Sequence, residues 1–485
     1  MDETQPLLRR FSRPEDGDSR EAVLNGLLRF DSKGDEDNPM EWSNSYKWGV
    51  ILLLAFMAFS VTFTCIGIVP IASQIVFDLE GEENKSTSVL LVTIWELGEA
   101  AGPLIIAPLS ELWGRYPIYN IANIFFILWS VVAACSQSST LFIFARFFTG
   151  CAVASNVLNP AIIGDILPPE RRGTAMATLM LAPLLGGAIG PAIAGAITET
   201  IGWRNVLWGA ALVTGVCELT FLTLLRETYK LRILKKKAAR LRKDVEASST
   251  MEEENTLLTI WTSIKRPATV FFGSLVLQLL SFYMAITFAF FYIMSTTFPV
   301  ILREVYGFSP AMTGTSFMSF SLGSSFGIIV CNSFLDKIYV KMRDANNGKA
   351  KPEFRMPLVI ISAFTLPAAI ILMGWTAQNH WPVAILLISV GLLGHCLLIG
   401  MVPLVAYVVD ATGLYSASAL TAVLITRCLM GTFLPLVVPP LVDRLGWGYG
   451  FVVLAGVCLA VAPIPLVIMR YGEVWRQRSE YTNDN

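Results

Sequence analysis

The charged stretch RETYKLRILKKKAARLRK (Arg226–Lys243) divides this 485-residue chain into two halves with the same hydropathy pattern. It begins a polar break that runs from Arg226 to Ala268, and six long apolar segments lie on each side of that break. Each segment is long enough to cross about 30 Å of hydrocarbon at about 1.5 Å of rise per residue. The pattern therefore predicts an all-α membrane protein with twelve transmembrane helices, arranged as two pseudo-symmetric six-helix bundles.

The predicted spans set the domain boundaries. We place the spans at about 48–70, 87–109, 116–135, 140–166, 173–198, 204–225, 269–301, 311–334, 356–376, 382–409, 416–440 and 449–470. The resulting units are a disordered tail 1–47, a bundle 48–225, a linker 226–268, a bundle 269–470 and a tail 471–485. The basic start of the linker fits either an amphipathic helix on anionic lipid or a solvated connection.

The composition excludes several classes of protein. The chain is 54% hydrophobic and 15% charged, which is typical of an integral membrane protein. A net charge of −1 gives no basis for binding nucleic acid. The eight cysteines form no CxxC pair and there are only two histidines, so no disulfide framework, zinc site or histidine metal cluster is expected. The sequence lacks a GxxxxGK[ST] loop, so we expect no cofactor and no direct use of ATP.

The loop charges predict the orientation. Eleven basic residues lie between Arg226 and Arg266, and six more lie between Lys337 and Arg355. The loops on the other side hold few, so the positive-inside rule places both termini in the cytoplasm. We expect a monomer in the plasma membrane. The predicted outer loop contains a glycosylation sequon at Asn84, and the sequence leaves its modification open.

The loop after the second span reads APLSELWGRYP (Ala107–Pro117). It resembles the cytoplasmic signature of the major facilitator superfamily, in which an acidic and a basic residue bracket a glycine turn. Glu111, Gly114 and Arg115 match that signature. Three positions depart from the general pattern: Ala107, Leu112 and Tyr116. The loop is nevertheless similar to the form found in fungal drug:proton antiporters.

A weaker copy of this motif follows the eighth span, where DKIYVK begins at Asp336. Asp336 corresponds to Glu111, and its position is what a duplicated six-helix unit predicts. The resemblance implies that these residues form a cytoplasmic gate, in which Glu111 meets the start of the eleventh helix near Ser416 and Ser418 in one state of the carrier.

The fifth span, APLLGGAIGPAIAGAI (Ala182–Ile197), carries a second motif. Its block of Gly186, Gly190, Pro191 and Gly195 resembles the motif that marks antiporters in this superfamily, although generic close packing remains an alternative. Small residues at every fourth position form a ridge on this span and on the eighth: Ala182, Gly186, Gly190 and Ala194, then Ser319, Gly323, Gly327 and Cys331. We predict that the two ridges face each other between the bundles.

Further stretches are similar to the fungal group: NPMEWSNSYKW (Asn38–Trp48), NPAIIGDILPPERRGTAMA (Asn159–Ala177), YSASALTAVLITR (Tyr415–Arg427) and YGEVWRQRS (Tyr471–Ser479). With the two motifs, the resemblance covers nearly the whole chain. It implies the two-bundle fold and export driven by a proton gradient, and it does not identify the exported molecule.

Charges inside the spans point to the site, because a charge at the bilayer centre costs about 2.5–3.5 kcal/mol. Glu96 and Glu99 share one helix face, so they suit a shared proton, with a structural pair as the alternative. Arg146 resembles the family's intramembrane arginine and needs a carboxylate or carbonyl partner, with either glutamate as a candidate. Arg427 is either a structural clamp or a cavity charge.

Two polar side chains in the aromatic seventh span, Gln278 and Tyr283, are further cavity candidates, although most aromatic residues there are expected to face lipid. The sequence thus predicts a proton-coupled exporter of a small lipophilic compound, with substrate, protons and the bilayer as its partners. The alternatives are a nutrient or polyamine permease and, from other classes, a polytopic membrane enzyme or a receptor.

Overall fold

A computed structural model describes residues 38–230, 232–234, 236 and 264–482. The described residues form helices joined by short turns, with no strand among them. Most of the predicted N-terminal tail and of the linker lies outside the described residues, so an amphipathic helix and a solvated connection both remain open for the basic start of the linker. The predicted domain boundaries therefore stay predictions, whereas the all-helical fold is confirmed.

The helices of the first half follow the predicted spans. They are Asn44–Ile66 with Ala72–Glu80 (first crossing), Lys85–Trp113 (second), Arg115–Ala134 (third), Ser139–Cys151 with Ser155–Ile166 (fourth), Pro169–Ile201 (fifth) and Trp203–Leu224 (sixth). The second crossing begins at Lys85 because Asn84 caps it, accepting a hydrogen bond from the Thr87 amide at 3.1 Å.

The second half continues with Leu275–Glu304 (seventh crossing), Pro310–Ser316 with Met318–Ala345 (eighth), Met356–Gln378 (ninth), Val383–Thr412 (tenth), and Ser416–Phe433, Val438–Val461 and Pro463–Arg476 (eleventh and twelfth). Within Val438–Val461 the helix is broken at Gly446, where the chain reverses direction. The φ of 75° at this residue suits glycine. The rings of Tyr415 and Tyr481, one at each end of the stretch formed by the last three helices, lie 5.1 Å apart. The stretch therefore crosses twice.

Eleven helical stretches are long and apolar enough to span a bilayer, and the last of them, Ser416–Arg476, contains two crossings. The described chain thus makes twelve crossings. We call the face with Lys85, Arg303 and Asp443 the outer face, and the face with Arg115 and Tyr415 the inner face, after the predicted orientation.

Two crossings of the first half are broken near their middle. The first is interrupted after Ile66 by a 3-10 turn at Val69–Ile71 that contains Pro70, which cannot donate a helical hydrogen bond. The fourth is interrupted between Cys151 and Ser155. Breaks of this kind leave backbone carbonyls without helical partners, and such carbonyls must find partners inside the protein.

The two halves are bonded to each other at the outer face. Lys85 pairs with Asp443 at 2.9 Å, and Arg303 pairs with Glu83 at 3.2 Å. The Glu199 carboxylate accepts a hydrogen bond from the Ala311 amide at 2.9 Å. Each of these bonds joins a residue of the first half to a residue of the second.

Bonding at the inner face is different. The ion pairs Arg115–Asp165, Arg355–Asp410 and Arg476–Glu353 each stay within one half. The Glu111 carboxylate has no hydrogen-bonding or ion-pair partner among the described residues, so the predicted contact with the start of the eleventh crossing is not made. The described part of the chain is therefore closed at the outer face.

The predicted C-terminal tail is in part folded. The last helix runs to Arg476, whose guanidinium is buried and pairs with Glu353 at 3.3 Å. The Tyr481 ring packs against Gly273, just before the seventh crossing. The described tail residues therefore extend the second bundle at its inner face.

Candidate functional site

The centre of the molecule holds a cluster of ionisable side chains from both halves. Glu96 and Glu99 lie on the second crossing, and their carboxylate oxygens are within 4.8 Å of each other and of the Cys428 sulfur. The second half supplies the partners: the Tyr292 hydroxyl donates to Glu96 at 2.6 Å, and Arg427 Nη2 lies 3.2 Å from Glu99 Oε1. Both links join the halves.

Small residues allow the helices to approach closely at this cluster. A Cβ on Gly98 would lie 2.7 Å from the Cys151 amide nitrogen, and one on Gly150 would lie 3.1 Å from the Gly98 Cα. The fourth crossing therefore packs backbone to backbone against the turn that carries Glu99. From the other half, Gly431 leaves room for Glu96, since a Cβ there would lie 3.3 Å from Oε2.

Glu99 has the richer set of partners. Its Oε1 accepts from Arg427 and from Asn156 Nδ2, the latter at 2.8 Å. The Phe288 ring covers one face of the guanidinium, 4.2 Å from its central carbon. Glu96, by contrast, is 1% exposed, and its Oε2 has no partner among the described residues. Because Arg427 already places a positive charge beside Glu99, we assign no metal here.

Arg146 pairs with backbone, not with the glutamates. It is buried and donates to the carbonyls of Thr64 and Cys65 at 3.3 and 3.1 Å, while its guanidinium stacks on Trp95 at 4.6 Å. These carbonyls belong to the last turn before the break in the first crossing. Of the two partner types expected from the sequence, the structure selects the carbonyl.

The predicted gate motif forms a second cluster at the inner face. Gly114 adopts φ 100°, and a Cβ there would lie 2.7 Å from the Glu227 carboxyl carbon. Glu227 accepts hydrogen bonds from the amides of Arg115 and Tyr116 at 2.9 and 3.3 Å. Arg115 also lies 3.6 Å from Asp165. The loop is thus fixed to the ends of the fourth and sixth crossings.

Tyr229, in the segment after the sixth crossing, completes that cluster. The Arg115 guanidinium lies 4.7 Å from the centre of its ring. Burial raises the pKa of the Tyr229 phenol, so the ring stays neutral beside the cation.

The second half repeats this arrangement. Arg355, at the start of the ninth crossing, pairs with Asp410 at 2.5 Å and with Asp336 at 3.7 Å. Its guanidinium lies 4.9 Å from the Tyr339 ring. Asp336 itself is largely exposed. The two clusters occupy equivalent places in the two bundles, as the weak sequence repeat suggests.

The fifth-span block contacts two different helices. Gly186 and Gly190 lie against the first crossing, where Cβ atoms would meet Phe59 O at 2.9 Å and Phe63 Cα at 3.3 Å. Further along, a Cβ on Gly195 would lie 2.9 Å from the Ala311 Cα of the eighth crossing. The block thus serves the first bundle at one end and the interface at the other, with Pro191 beside Gly314.

The prediction that the two ridges face each other is wrong. A Cβ on Gly323 would lie 2.8 Å from the Gly391 Cα, and one on Gly327 would lie 2.9 Å from the His395 carbonyl, so this ridge packs on the tenth crossing. The fifth and eighth crossings do meet, but through Gly195 and Gly314. Small-residue spacing indicates close packing without naming the partner helix.

The remaining candidates lie away from the central cluster. Tyr283 is 2% exposed and belongs to the core of the second bundle. Gln278 donates to the carbonyls of Phe271 and Phe272 at 3.2 and 3.1 Å, near the inner end of the seventh crossing. Asn84 is exposed at the outer face, where its side-chain oxygen caps a helix.

Sequence reasoning missed several residues of these clusters, among them Tyr292, Asn156, Asp165, Glu227, Arg355 and Asp410. Tyr292 carried a faint signal, as a hydroxyl in an apolar aromatic run. The others became identifiable only when the structure showed which helix ends meet.

Known proteins match the chain over most of its length. The profile of the Major Facilitator Superfamily matches residues 50–435. The chain is 33% identical to "Efflux pump radE" of Floropilus chiversii over 94% of this chain and 86% of the relative. It is 35% identical to "MFS-type transporter atr4" of Stereocaulon alpinum over 97% of this chain and 86% of that relative.

Solved structures confirm the fold. A partially occluded inward open conformation of the xylose transporter XylE from E. coli aligns with a TM-score of 0.64 at 15% identity, covering 88% of this chain and 98% of that one. A peptide transporter POT in complex with sulfate aligns with a TM-score of 0.63 at 14% identity, covering 89% and 95%. The chain is therefore a membrane transporter of the Major Facilitator Superfamily.

Proposed function

We propose that this chain exports a small lipophilic compound from the cytoplasm in exchange for protons, and that the Glu99–Arg427 link between the halves enforces the exchange. The proposal includes the predicted orientation, with both termini in the cytoplasm, and a monomer in the plasma membrane. Its main support is the position of that link, which joins the two bundles beside a second buried carboxylate.

The relatives support the direction of transport. One of them is named an efflux pump, and others are named MFS-type transporters, each aligned over more than nine tenths of this chain. The similarity to sugar and peptide transporters is confined to the fold, because identity there is about 15%. Export therefore has more support than uptake of a nutrient or a polyamine.

The charge balance of the cluster suits a proton carrier. Glu96 and Glu99 face one bonded cation, Arg427, because Arg146 is directed to backbone carbonyls. Two ionised carboxylates within 4.8 Å of each other repel strongly where the dielectric is low. The two carboxylates therefore share one bonded cation, and an added proton on either of them relieves the repulsion.

The link explains how exchange is enforced. When Glu99 is ionised and no compound is bound, its attraction to Arg427 holds the halves together and the outer face stays closed. A proton on Glu99 removes the charge that Arg427 attracts, and a bound compound separates the two side chains. Only the proton-loaded or compound-loaded carrier then changes conformation, which is the requirement of an antiporter.

The test measures the outer-face distance as a function of pH. Spin labels at Glu82→Cys and Arg444→Cys, two exposed positions in opposite halves, report outer opening. The background carries Cys135→Ser, because Cys135 is an exposed native cysteine. We expect a long-distance population that grows as the pH falls from about 8 to about 5.5, because a proton on Glu99 removes the charge that Arg427 attracts. In Glu99→Gln we expect that population at both pH values.

A matched control separates coupling from general effects of pH. Glu218 is also a buried carboxylate, but it lies within the first half, where Asn123 donates to it at 2.6 Å. Glu218→Gln should keep the wild-type response. A wild-type distance that ignores pH, or a response that Glu218→Gln removes and Glu99→Gln retains, would contradict proton coupling at Glu99.

A further inference from the structure

We infer that the exported compound is an uncharged aromatic molecule that carries an N–H or O–H donor beside a carbonyl acceptor on one edge, as an aromatic lactam does. The inference rests on the proposed function, since it treats the Glu99–Arg427 pair as the link that the compound must separate. It goes further by deriving the chemical class of the compound from what each side chain needs once the pair is open.

The pair is held by a single contact. Glu99 Oε1 meets Arg427 Nη2 at 3.2 Å, which is at the long end of the range for a hydrogen bond. The same oxygen already accepts from Asn156, and Arg427 Nε is buried with no partner among the described residues. The guanidinium therefore has an unused donor, and the pair can be opened by separating one pair of atoms.

Separation leaves each partner with a need that only certain ligands meet. A buried charge that loses its partner is strongly unfavourable. A cation could satisfy Glu99 but would leave Arg427 unpaired, and an anion would do the reverse. A purely apolar molecule would satisfy neither. A neutral molecule with adjacent donor and acceptor satisfies both, because its donor faces Glu99 and its acceptor faces Arg427.

Aromatic side chains beside the pair define the rest of the compound. Phe288 lies against the Arg427 guanidinium, and its ring is 5.7 Å from Phe291, which is 5.1 Å from Phe320. These three rings are half-buried and belong to the second half. The three rings form a continuous apolar surface that begins beside Arg427. A flat aromatic molecule lying on this surface therefore places its polar edge at the Glu99–Arg427 pair.

The pair is partly exposed, and it lies nearer the inner face than Glu96 does, because the second crossing runs from Lys85 at the outer face to Trp113 at the inner face. The side chains of Glu99 and Arg427 are 12% and 17% exposed, and Asn156, which bonds Glu99, is exposed. The links on the outer side of the pair are tighter, since Tyr292 and Gly431 enclose Glu96. A compound from the cytoplasm therefore reaches Glu99 and Arg427 before it reaches the sealed part of the cluster.

The test compares two compounds that differ by one methyl group. Phenanthridin-6(5H)-one presents N–H and C=O on one edge, and its N-methyl derivative lacks the donor. Equilibrium binding to purified protein in lipid nanodiscs is measured at one pH without a gradient, by the fluorescence of the compounds. We expect the lactam to bind about tenfold more tightly, because the methylated compound leaves Glu99 without a donor.

Charged probes and variants complete the experiment. Tetraphenylphosphonium and 2-naphthoate should each bind more weakly than the lactam. Glu99→Ala should remove the preference for the lactam over its N-methyl derivative, because Glu99 is the group that accepts from the N–H. Lys85→Gln, which removes an outer-face ion pair, should retain it. Equal binding of the two phenanthridinones, tighter binding of either ion, or no binding of the lactam up to its solubility limit would overturn the inference.

The compound pair is compared on the wild-type protein, so the result stands even if the Glu99 variant fails to fold. Failure of this inference is also distinct from failure of proton coupling. Binding without a gradient does not depend on coupling, and the pH response of the outer-face distance does not depend on which compound is carried.

Discussion

Two buried arginines show how one residue type serves different purposes at the same depth. Arg146 bonds two carbonyls at the break of the first crossing, whereas Arg427 meets a carboxylate of the other half. In the sequence both are single cations inside apolar spans. Their partners lie more than 80 residues away along the chain. The neighbouring sequence therefore does not distinguish an arginine that bonds carbonyls at a helix break from one that links two bundles.

Glycines decide where Glu99 stands. Gly98 and Gly150 hold the second and fourth crossings at backbone contact, and a Cβ on Gly150 would lie 3.2 Å from the Glu99 amide nitrogen. Even a methyl group there must push the turn that carries Glu99. The position of the carboxylate is thus set by the absence of a neighbouring side chain.

Gly150→Ala is therefore expected to destabilise the protein and to weaken the link at Glu99. Overpacking a tight contact costs about 1–3 kcal/mol. We expect a lower thermal midpoint of the purified protein and a larger outward-open population at pH 8. Gly215→Ala is the matched control, since a Cβ on Gly215 meets nothing within 4 Å. Equal midpoints for the two variants would show that the contact is not as tight as described.

At the scale of helices, the sequence predicted the crossings well and their interruptions poorly. Apolar length alone marked the spans, because the bilayer sets a minimum length for each helix. The breaks at Val69–Ile71 and after Cys151 were not predicted, since the hydropathy of these residues continues that of the span. The end of the last helix at Arg476 was missed for the opposite reason. The residues after the predicted span are polar, but the helix continues because Arg476 is buried and pairs with Glu353.

The contact between the fifth and eighth crossings carries the next prediction. Gly195 and Gly314 let the backbones of opposite halves touch near the outer face, where a Cβ on Gly314 would lie 2.9 Å from the Ala192 Cα. Gly195→Leu should hold the halves apart and shift the spin-label distance at the outer face to the long population at every pH. The fold of each bundle should survive, because the contact lies between the bundles.

Two comparisons make that result specific. Gly209→Leu, at a position where a Cβ meets nothing within 4 Å, should leave the distance unchanged. Gly190→Leu should instead lower the thermal midpoint, because Gly190 packs on the first crossing within its own half. If the outer face stays closed in Gly195→Leu, the contact between the fifth and eighth crossings is not required for closure of the outer face.

For the whole molecule, the balance between conformations depends on few bonds. The two outer ion pairs join side chains that are 41–56% exposed, and exposed pairs of this kind contribute about 0–1 kcal/mol each. The central links are less exposed than these rim pairs, and under the proposed mechanism they are the ones that a proton or a compound changes. A closed state held weakly at its rim and more firmly at its centre suits a carrier that must open when the centre is altered.

The orientation of the molecule gives the last prediction. Under the proposed orientation the outer face lies outside the cell, and the ion pairs that close this face would then separate a cytoplasmic compound from the exterior. In intact cells, a membrane-impermeant maleimide should label Glu82→Cys and should label Lys349→Cys only after permeabilisation. Both side chains are exposed and lie on opposite faces, so access to the cysteine is equal apart from the membrane. The reverse labelling pattern would place the open inner face on the outside of the cell. This conformation could then not take up a compound from the cytoplasm, which would contradict export.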